Sequence, residues 1–245
     1  MRTGKSLTDK VSVVTGASRG IGRAIAQRLV ACGARVCLVG RHKESLMKAV
    51  TRPTGRQSEL QAYEADLSID IDVHSLVDSI KRDFGKVDVL VLAAGMHHMG
   101  TIENTPVEQL DALYRANVRA PYMLMRALLP IIKIGPGQIV FINSSLGIKS
   151  KAQVGLFAST QHALRALADS LRDEINSSGI RVMSVFPGRT ATPRMQTIYE
   201  QEGKEYKPEK LLQPEDVADV VIHALTLPRT AEVTDLSVRP LVKSY

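Results

Sequence analysis

A glycine-rich turn near the start of the chain is the segment best suited to binding chemistry. It follows an apolar run, Val11–Thr15, and opens a stretch with helical periodicity, Ile21–Ala31. Glycines at a strand–helix junction let backbone N–H groups and the helix N-terminus approach a pyrophosphate closely. The alternative is a tight turn without a ligand. We predict a dinucleotide site formed by Thr15, Gly16, Ala17, Ser18, Arg19, Gly20, Ile21 and Gly22.

Two arginines indicate which dinucleotide is preferred. The second apolar run, Arg35–Val39, leads into Gly40, Arg41, His42 and Lys43. Proteins selective for NAD usually have an acidic residue here that binds the ribose 2′-hydroxyl, and none is present. Arg41, with Arg19 of the glycine turn, is suited instead to charge-assisted hydrogen bonds with a 2′-phosphate. We therefore predict NADP(H) as the cofactor; the alternative is that both arginines are solvated surface residues.

Apolar, β-branched runs alternate with helical segments such as Asp72–Asp83 along the whole chain. The further strand candidates are Leu60–Glu64, Val87–Leu92, Gln138–Ile142, Arg181–Phe186 and Glu232–Leu236. This alternation predicts parallel strands joined by right-handed crossovers, with helices on both faces. We predict one α/β domain over residues 1–245, a Rossmann-type doubly wound sheet of about seven strands. Residues 188–212, rich in charge and proline, are predicted to be an excursion that covers the substrate.

The composition argues against several protein classes. Cys32 and Cys37, the two cysteines, lie in apolar stretches and are expected to be buried thiols. Residues 1–10 lack the apolar core of a signal peptide, and no apolar run reaches the ~18 residues of a membrane span. The 32 lysines and arginines outnumber 25 acidic residues, but they are scattered and aromatic residues are few, so no nucleic-acid ligand is expected. We predict a cytoplasmic protein with no membrane partner and no metal site.

The pattern TGxxxGIG at residues 15–22 resembles the short-chain dehydrogenase/reductase family. The resemblance runs from about Asp9 to Pro240. It implies hydride transfer between a nicotinamide and a carbonyl or alcohol, with Asn117 as a structural asparagine and Ser144 as the catalytic serine. It also implies cofactor contacts from the adenine-side residues Asp66 and Leu67, from Ala94 and Gly95 at the end of the fourth-strand motif, and from the nicotinamide-side residues Pro187, Gly188 and Thr192.

The tyrosine and lysine of that family are missing from their expected positions. The family pairs them as YxxxK, because residues i and i+4 share one helix face. Counting from Ser144 at the usual separation gives Phe157 and Gln161, and the HALRALADSLRDE that follows is typical of the segment after the pair. Phe157 cannot deliver a proton, and Gln161 can bond a ribose hydroxyl but supplies no charge. We expect cofactor binding to survive and ordinary carbonyl reduction to be badly impaired.

Other side chains are alternatives for supplying the proton or the charge. His97 and His98 follow the fourth-strand motif, and a histidine of near-neutral pKa is a suitable acid, although exposed loop histidines are common. Lys149 and Lys151 precede the altered helix and can restore positive charge. His162 is expected to be structural.

The expected substrate is a small apolar molecule. By the resemblance, its pocket is lined by Met96, Leu146 and residues 188–195. Tyr199 and Tyr206 of the excursion are expected to line the pocket rather than to catalyse.

Four functional interpretations stay open. The first is an NADP(H)-dependent oxidoreductase of atypical chemistry, acting for example on an iminium or an activated alkene. The others are a non-redox enzyme of the same fold, a catalytically silent partner of an active paralogue, and an engineered inactive variant of an ordinary carbonyl reductase. Apolar spacing in Tyr122–Leu129 and Leu164–Ile175 predicts a homodimer or homotetramer, unless both stripes pack on the chain's own sheet. The silent-partner interpretation implies a hetero-oligomer instead.

Overall fold

Seven parallel strands form the centre of the protein, which is described by a computed structural model over residues 7–51 and 59–242. The strand order is β3-β2-β1-β4-β5-β6-β7. The strands are β1 (Val11–Thr15), β2 (Arg35–Gly40), β3 (Leu60–Glu64), β4 (Val89–Leu92), β5 (Gln138–Ile142), β6 (Arg181–Pro187) and β7 (Asp235–Val238). This order is that of a doubly wound sheet, so the predicted fold class is confirmed. Residues 1–6 lie outside the described range, and the prediction that residues 1–10 lack a signal-peptide core rests partly on them.

Helices cover both faces of the sheet. They are α1 (Gly20–Ala31), α2 (Lys43–Ala49), α3 (Asp70–Phe84), α4 (Val107–Tyr114), α5 (Ala120–Ile132), α6 (Gly155–Ile175), α7 (Pro193–Gln201) and α8 (Pro214–Thr226). A π-helical segment, Arg115–Arg119, joins α4 to α5. No helix in the described ranges is both long and apolar enough to cross a bilayer.

Each face of the sheet has its own hydrophobic core. One core joins α1 and α8 to the strands, and the other joins α3, α5 and α6 to the opposite face. This arrangement explains why β1 is buried at every position, since a parallel sheet covered on both sides has no solvent-facing side chains.

The apolar stripe of α6 belongs to the second core. Leu164, Ala168, Leu171 and Ile175 are all buried against the chain's own sheet. In the second predicted stripe, Leu124, Met125 and Leu128 of α5 are buried in the same core. These stripes therefore give no support to the predicted oligomer, because they are already packed within one chain.

Two of the predicted strands, β4 and β7, begin two and three residues later in the structure. β4 begins at Val89 rather than Val87, and the carboxylate of Asp88, the residue before it, accepts the Val11 N–H (2.9 Å). β7 covers Asp235–Val238 rather than Glu232–Leu236, since the Glu232 carboxylate accepts the Val182 N–H (2.9 Å). Helix α6 ends at Ile175, and Gly179, in the left-handed region at φ 72°, closes the 3-10 turn that follows it.

The strand order creates a crevice between β1 and β4. These strands are neighbours in the sheet, but the chain leaves them toward opposite faces, because β1 leads to α1 and the segment after β4 leads to α4 and α5. Ligands of open α/β sheets bind outside the carboxyl ends of the strands at such a switch point. The residues that follow β1, β4, β5 and β6 therefore share one edge of the sheet.

The predicted excursion, residues 188–212, contains helix α7 and a short 3-10 turn, Pro208–Lys210. Its two ends are joined, because the Ala191 N–H donates to Leu212 O (2.7 Å) and the Leu212 N–H donates to Arg189 O (3.1 Å). These bonds fix the base of the excursion next to the carboxyl end of β6.

Candidate active site

Thr15 joins the ends of the two strands that border the crevice. Its buried hydroxyl accepts hydrogen bonds from the N–H groups of Ala93 (2.9 Å) and Ala94 (3.1 Å), and it donates to Val91 O at 3.4 Å. The start of the glycine turn is thereby fixed against the end of β4, so the predicted fourth-strand residues Ala94 and Gly95 lie beside the predicted dinucleotide site.

The glycine turn has no room for side chains at two of its positions. A Cβ atom on Gly16, whose φ is +65°, would lie 3.0 Å from the backbone of Ala93 and Ala94. A Cβ atom on Gly22 would lie 2.5 Å from Gly16 O. The turn therefore requires glycine on steric grounds, and its backbone approaches β4 closely.

A basic rim borders the glycine turn. Ser18, Arg19 and Arg41 are exposed, and neither arginine has an ion-pair partner among the described residues. The structure brings Glu64 opposite Gly40 on β3, an acid near the end of β2 that the sequence prediction did not anticipate. The Glu64 carboxylate accepts the Lys43 N–H at 3.0 Å.

Asp66 and Leu67 follow β3 and are half-buried. The Asp66 carboxylate accepts bonds from the hydroxyl (2.7 Å) and N–H (2.9 Å) of Ser68. These bonds, with Arg41 at longer range, lower the pKa of Asp66 and keep it ionised. The predicted adenine-side residues thus form a fixed loop next to the basic rim.

Thr192 connects the excursion to the glycine turn. A Cβ atom on Gly20 would lie 3.1 Å from Thr192 Cγ2, so the Thr192 side chain lies close to the glycine turn. The Thr192 hydroxyl also accepts the Met195 N–H (3.2 Å) and caps helix α7. Gly188 lies next to the segment after β7 rather than the glycine turn, since an added Cβ atom there would meet Pro240 and Arg239.

Asn117 is buried in the π-helical segment and binds two elements at once. Its Oδ1 accepts the Met96 N–H (2.7 Å), and its Nδ2 donates to Met96 O (3.0 Å) and to Thr160 Oγ1 (3.0 Å). Segments with π-helical bonding are frequent at functional sites. Asn117 thus ties the chain after β4 to helix α6.

Asn143 performs a similar task for Ser144. Its Oδ1 accepts the Ser144 N–H (2.7 Å), while its Nδ2 donates to Gln161 O (3.0 Å). The Ser144 hydroxyl accepts the Leu146 N–H at 3.2 Å. Because the Ser144 backbone is fixed to α6 in this way, the positions of Ser144 and Gln161 are coupled.

Phe157 and Gln161 lie one helical turn apart on α6, and both are buried, with 6% and 5% of their surfaces exposed. The Phe157 ring packs against the His97 ring, with 4.6 Å between centroids and an interplanar angle of 55°. The Gln161 side-chain amide has no hydrogen-bonding partner among the described residues. A buried amide without a protein partner leaves its hydrogen bonds for a ligand or for water.

His97 is surrounded by positive charge. Burial, with Arg194, His98 and Lys151 nearby, lowers the pKa of His97 to about 4, although Glu202 acts in the opposite direction. His97 is consequently almost entirely neutral at pH 7. It is an aromatic neighbour of Phe157 rather than a charged acid at neutral pH.

The other proposed proton or charge donors have different surroundings. Lys149 is exposed, and Lys151 lies 3.8 Å from the Glu202 carboxylate, which also binds Arg189 (2.6 Å) and Lys204 (3.1 Å). Lys151 therefore has a local counter-ion.

Three further residues lie outside any catalytic arrangement. Tyr199 is buried beneath the Arg189 guanidinium, and its ring meets the half-buried Tyr206 ring edge-on. His162 is exposed. The two tyrosines are thus packing residues of the excursion.

Sequence reasoning missed two site residues. Asn143 donates a hydrogen bond to Gln161 O, and the Thr160 hydroxyl accepts one from the Asn117 side chain, so both depend on partners remote in sequence. Arg194, on the first turn of α7, belongs to the predicted pocket segment, residues 188–195, but the sequence predicts no separate role for it. In the structure it donates a hydrogen bond to Gly95 O.

Comparisons with known proteins agree with this geometry. Residues 10–203 match the short chain dehydrogenase family. An uncharacterized oxidoreductase of Staphylococcus saprophyticus is 31% identical over 237 residues, which are 96% of this chain and 99% of the relative. One from Staphylococcus epidermidis is 30% identical over 234 residues, 95% and 98% of the two chains.

Two solved structures are similar over nearly the whole chain. An alcohol dehydrogenase from the archaeon Thermococcus sibiricus, complexed with 5-hydroxy-NADP, has a TM-score of 0.85 at 29% identity and covers 96% of this chain and 98% of its own. A metagenomic short-chain oxidoreductase in complex with NADP has a TM-score of 0.83 at 31% identity, with coverages of 98% and 100%.

Proposed function

Because the chain belongs to the short chain dehydrogenase family, we propose that it is an NADP(H)-binding oxidoreductase with an atypical active site. In this proposal Phe157 and Gln161 stand at the positions of the family's tyrosine and lysine. The observation that carries it is the burial of Phe157 against a neutral His97, beside an intact frame of Asn117 and Ser144. Relatives named as oxidoreductases support the general activity.

The described residues fit a dinucleotide. The glycine turn leaves no space for a Cβ atom at Gly16 or Gly22, as a close backbone approach to a pyrophosphate requires. Gln161, a mostly buried residue, offers a side-chain amide that bonds no described residue. Arg41, with no carboxylate ion-pair partner among the described residues, offers a cationic side chain to a 2′-phosphate. The NADP-bound structures of similar proteins support the same cofactor.

A bound NADPH supplies a hydride. Ser144 is positioned to hold a substrate oxygen, but neither Phe157 nor neutral His97 provides a strong acid beside it at pH 7. A substrate that accepts hydride without that proton is therefore favoured. An iminium becomes an amine directly, and an activated alkene becomes an enolate that takes its proton from water. The substrate pocket predicted from the sequence, with Met96, Leu146 and the excursion as its borders, would suit a small apolar molecule of this kind.

A catalytically silent binding protein is the second candidate function. The observation that favours it is the contact between the half-buried His97 ring and the buried Phe157 ring. These two rings pack against each other, and neither presents a reactive group to a substrate. In this case NADP(H) binding serves assembly with an active relative rather than turnover.

The substrate preference is tested by two measurements on the unchanged protein. Titration should show NADPH binding at least tenfold tighter than NADH, which corresponds to about 1.4 kcal/mol. NADPH oxidation should then be followed with a panel of aldehydes and ketones and with cyclic iminium ions and activated alkenes. We expect turnover with a member of the second group only. Ordinary rates with carbonyls would contradict the proposal, and NADPH binding without turnover of either group would favour the silent protein.

We also propose a twofold homodimer or homotetramer. The support is a set of exposed apolar side chains on α4 and α5, namely Val107, Leu110, Tyr114 and Tyr122. Light scattering at micromolar concentration should give a mass of two or four times 26.8 kDa. A monomer would contradict this part.

A further inference from the structure

Arg194 extends from the excursion to the opposite wall of the crevice. It occupies the first turn of α7, and its guanidinium donates to the carbonyl oxygen of Gly95, at the end of the β4 motif and 99 positions away in sequence. More than a third of the side chain still contacts solvent. Arg194 is therefore a long cationic side chain laid across the space between two segments predicted to bind the cofactor.

The charge of Arg194 is not neutralised by the protein. No carboxylate forms an ion pair with Arg194 or Arg19 among the residues that the structure describes, and the two guanidinium groups are close enough to influence each other. Burial and the charge of Arg19 both lower the pKa of Arg194. Arg189, five positions earlier, differs, because it forms two hydrogen bonds of 2.6 and 2.8 Å with the Glu202 carboxylate. Two neighbouring cations without a counter-ion favour an anion between them.

The position of this charge pair relative to the glycine turn identifies the anion. Thr192, the N-cap residue of α7, lies close to Gly20 of the turn, so Arg194 is within one helical turn of that position. Gly95 O, its partner, lies beside Thr15 and Gly16 through the bonds of Thr15 to Ala93 and Ala94. Arg194 thus lies near the glycine turn, with Arg19 rather than Arg41 as the arginine that acts on its charge.

We propose that Arg194, assisted by Arg19, binds the pyrophosphate of the dinucleotide and so fastens helix α7 over it. This inference rests on the proposed cofactor. A guanidinium can form two parallel hydrogen bonds with a phosphate, and a charged phosphate oxygen is a stronger acceptor than the Gly95 carbonyl. Because α7 belongs to the substrate-covering excursion, the same contact links cofactor binding to closure over the substrate.

The experiment compares NADPH and NADH binding, by fluorescence titration, in four proteins: the unchanged chain, Arg194→Gln, Arg41→Gln and Arg126→Gln. Arg126 is an exposed residue of α5 and controls for the loss of one positive charge. Both cofactors contain the pyrophosphate, and only NADPH contains the 2′-phosphate. Arg194→Gln should weaken the binding of both NADPH and NADH by about tenfold or more. Arg41→Gln should weaken NADPH alone, and Arg126→Gln should change neither.

The possible outcomes separate this inference from the proposed function. If the unchanged chain binds neither cofactor, both are wrong. If the unchanged chain binds NADPH, and Arg194→Gln binds NADPH and NADH as tightly as the unchanged chain does, the inference is wrong and the proposed function stands. Selective loss of NADPH in Arg194→Gln would assign Arg194 to the 2′-phosphate and overturn the pyrophosphate assignment. If Arg194→Gln keeps its cofactor affinity but its NADPH complex binds benzoate more weakly, Arg194 binds a substrate carboxylate. That result would also overturn the pyrophosphate assignment.

Circular dichroism and thermal unfolding of Arg194→Gln provide the folding control. Arg194 is partly exposed, and its one hydrogen bond among the described residues is to a backbone carbonyl, so its replacement should leave the unfolding temperature nearly unchanged. In hydrogen exchange, NADPH should protect residues 193–201 in the unchanged chain and should protect them less in Arg194→Gln at saturating cofactor. Equal protection in the two proteins would contradict the fastening of α7.

Discussion

The two sides of the crevice differ in how their functions are encoded. The glycine turn between β1 and α1 depends on backbone geometry, since added Cβ atoms at Gly16 and Gly22 would collide with backbone atoms. The α6 side depends on side chains, because Asn117 and Asn143 hold the frame while Phe157 and Gln161 occupy the proposed reactive positions. A change in the turn therefore disturbs the fold, whereas a change on α6 can alter the chemistry with little cost in stability.

Under the proposed function, this difference explains how cofactor binding can persist without ordinary carbonyl reduction. The hydrogen bonds of Asn117 and Asn143 go to backbone groups of Met96, Ser144 and Gln161, and to Thr160. None of them involves the side chains of Phe157 or Gln161. The frame is thus independent of the groups that would move a proton.

The largest expected effect is on the backbone-dependent side. Gly22→Ala places a Cβ atom 2.5 Å from Gly16 O and should destabilise the protein by about 2–3 kcal/mol and abolish NADPH binding. Thermal unfolding and NADPH titration measure the two effects. Gly135→Ala is the matched control, because its Cβ meets nothing within 4 Å. Normal NADPH affinity in Gly22→Ala would remove the distinction between the two sides.

Asn117→Ala should have the next largest effect, because it leaves the Met96 N–H and Met96 O without their partner. The expected loss of stability is about 1–3 kcal/mol, measured by urea unfolding. Asn104→Ala, at an exposed position that bonds only Thr101, is the control. A loss no greater than that of the control would show that Asn117 does not hold the frame.

The smallest effect concerns His97 and its dependence on pH. The pKa of His97 is about 4 in the folded chain and about 6.5 when unfolded, so between these values only the unfolded chain takes up the proton. Stability should therefore fall as pH decreases from 6.5 to 4. Allowing for partial solvent screening, His97 should contribute about 1–2 kcal/mol of this loss.

His97→Phe keeps an aromatic ring against Phe157 and removes the titration. Its stability should fall less than that of the unchanged chain over the same pH range, and the exposed variant His162→Asn should behave like the unchanged chain. Parallel pH profiles for His97→Phe and the unchanged protein would mean that His97 is not held neutral by its surroundings.

The sequence allowed the topology and the glycine turn to be predicted because both depend on local patterns. Continuous apolar strands indicate a sheet covered on both faces, and glycines between a strand and a helix indicate a close backbone approach. The contacts of Asn143, Thr160 and Arg194 depend on partners 18, 43 and 99 positions away. The burial of His97 and the position of Glu64 opposite Gly40 also arise only from packing, so local patterns did not indicate them.

The most direct test of the central claim is the double variant Phe157→Tyr with Gln161→Lys. If only proton delivery and local charge are lacking, the pair should raise NADPH-dependent reduction of some aldehyde or ketone by about 10²–10⁴-fold. Phe157→Tyr alone should do much less, because without the ammonium the tyrosine pKa stays near ~10. The two changes should therefore be strongly non-additive. A double variant that binds NADPH and remains inert toward every carbonyl tested would contradict the account.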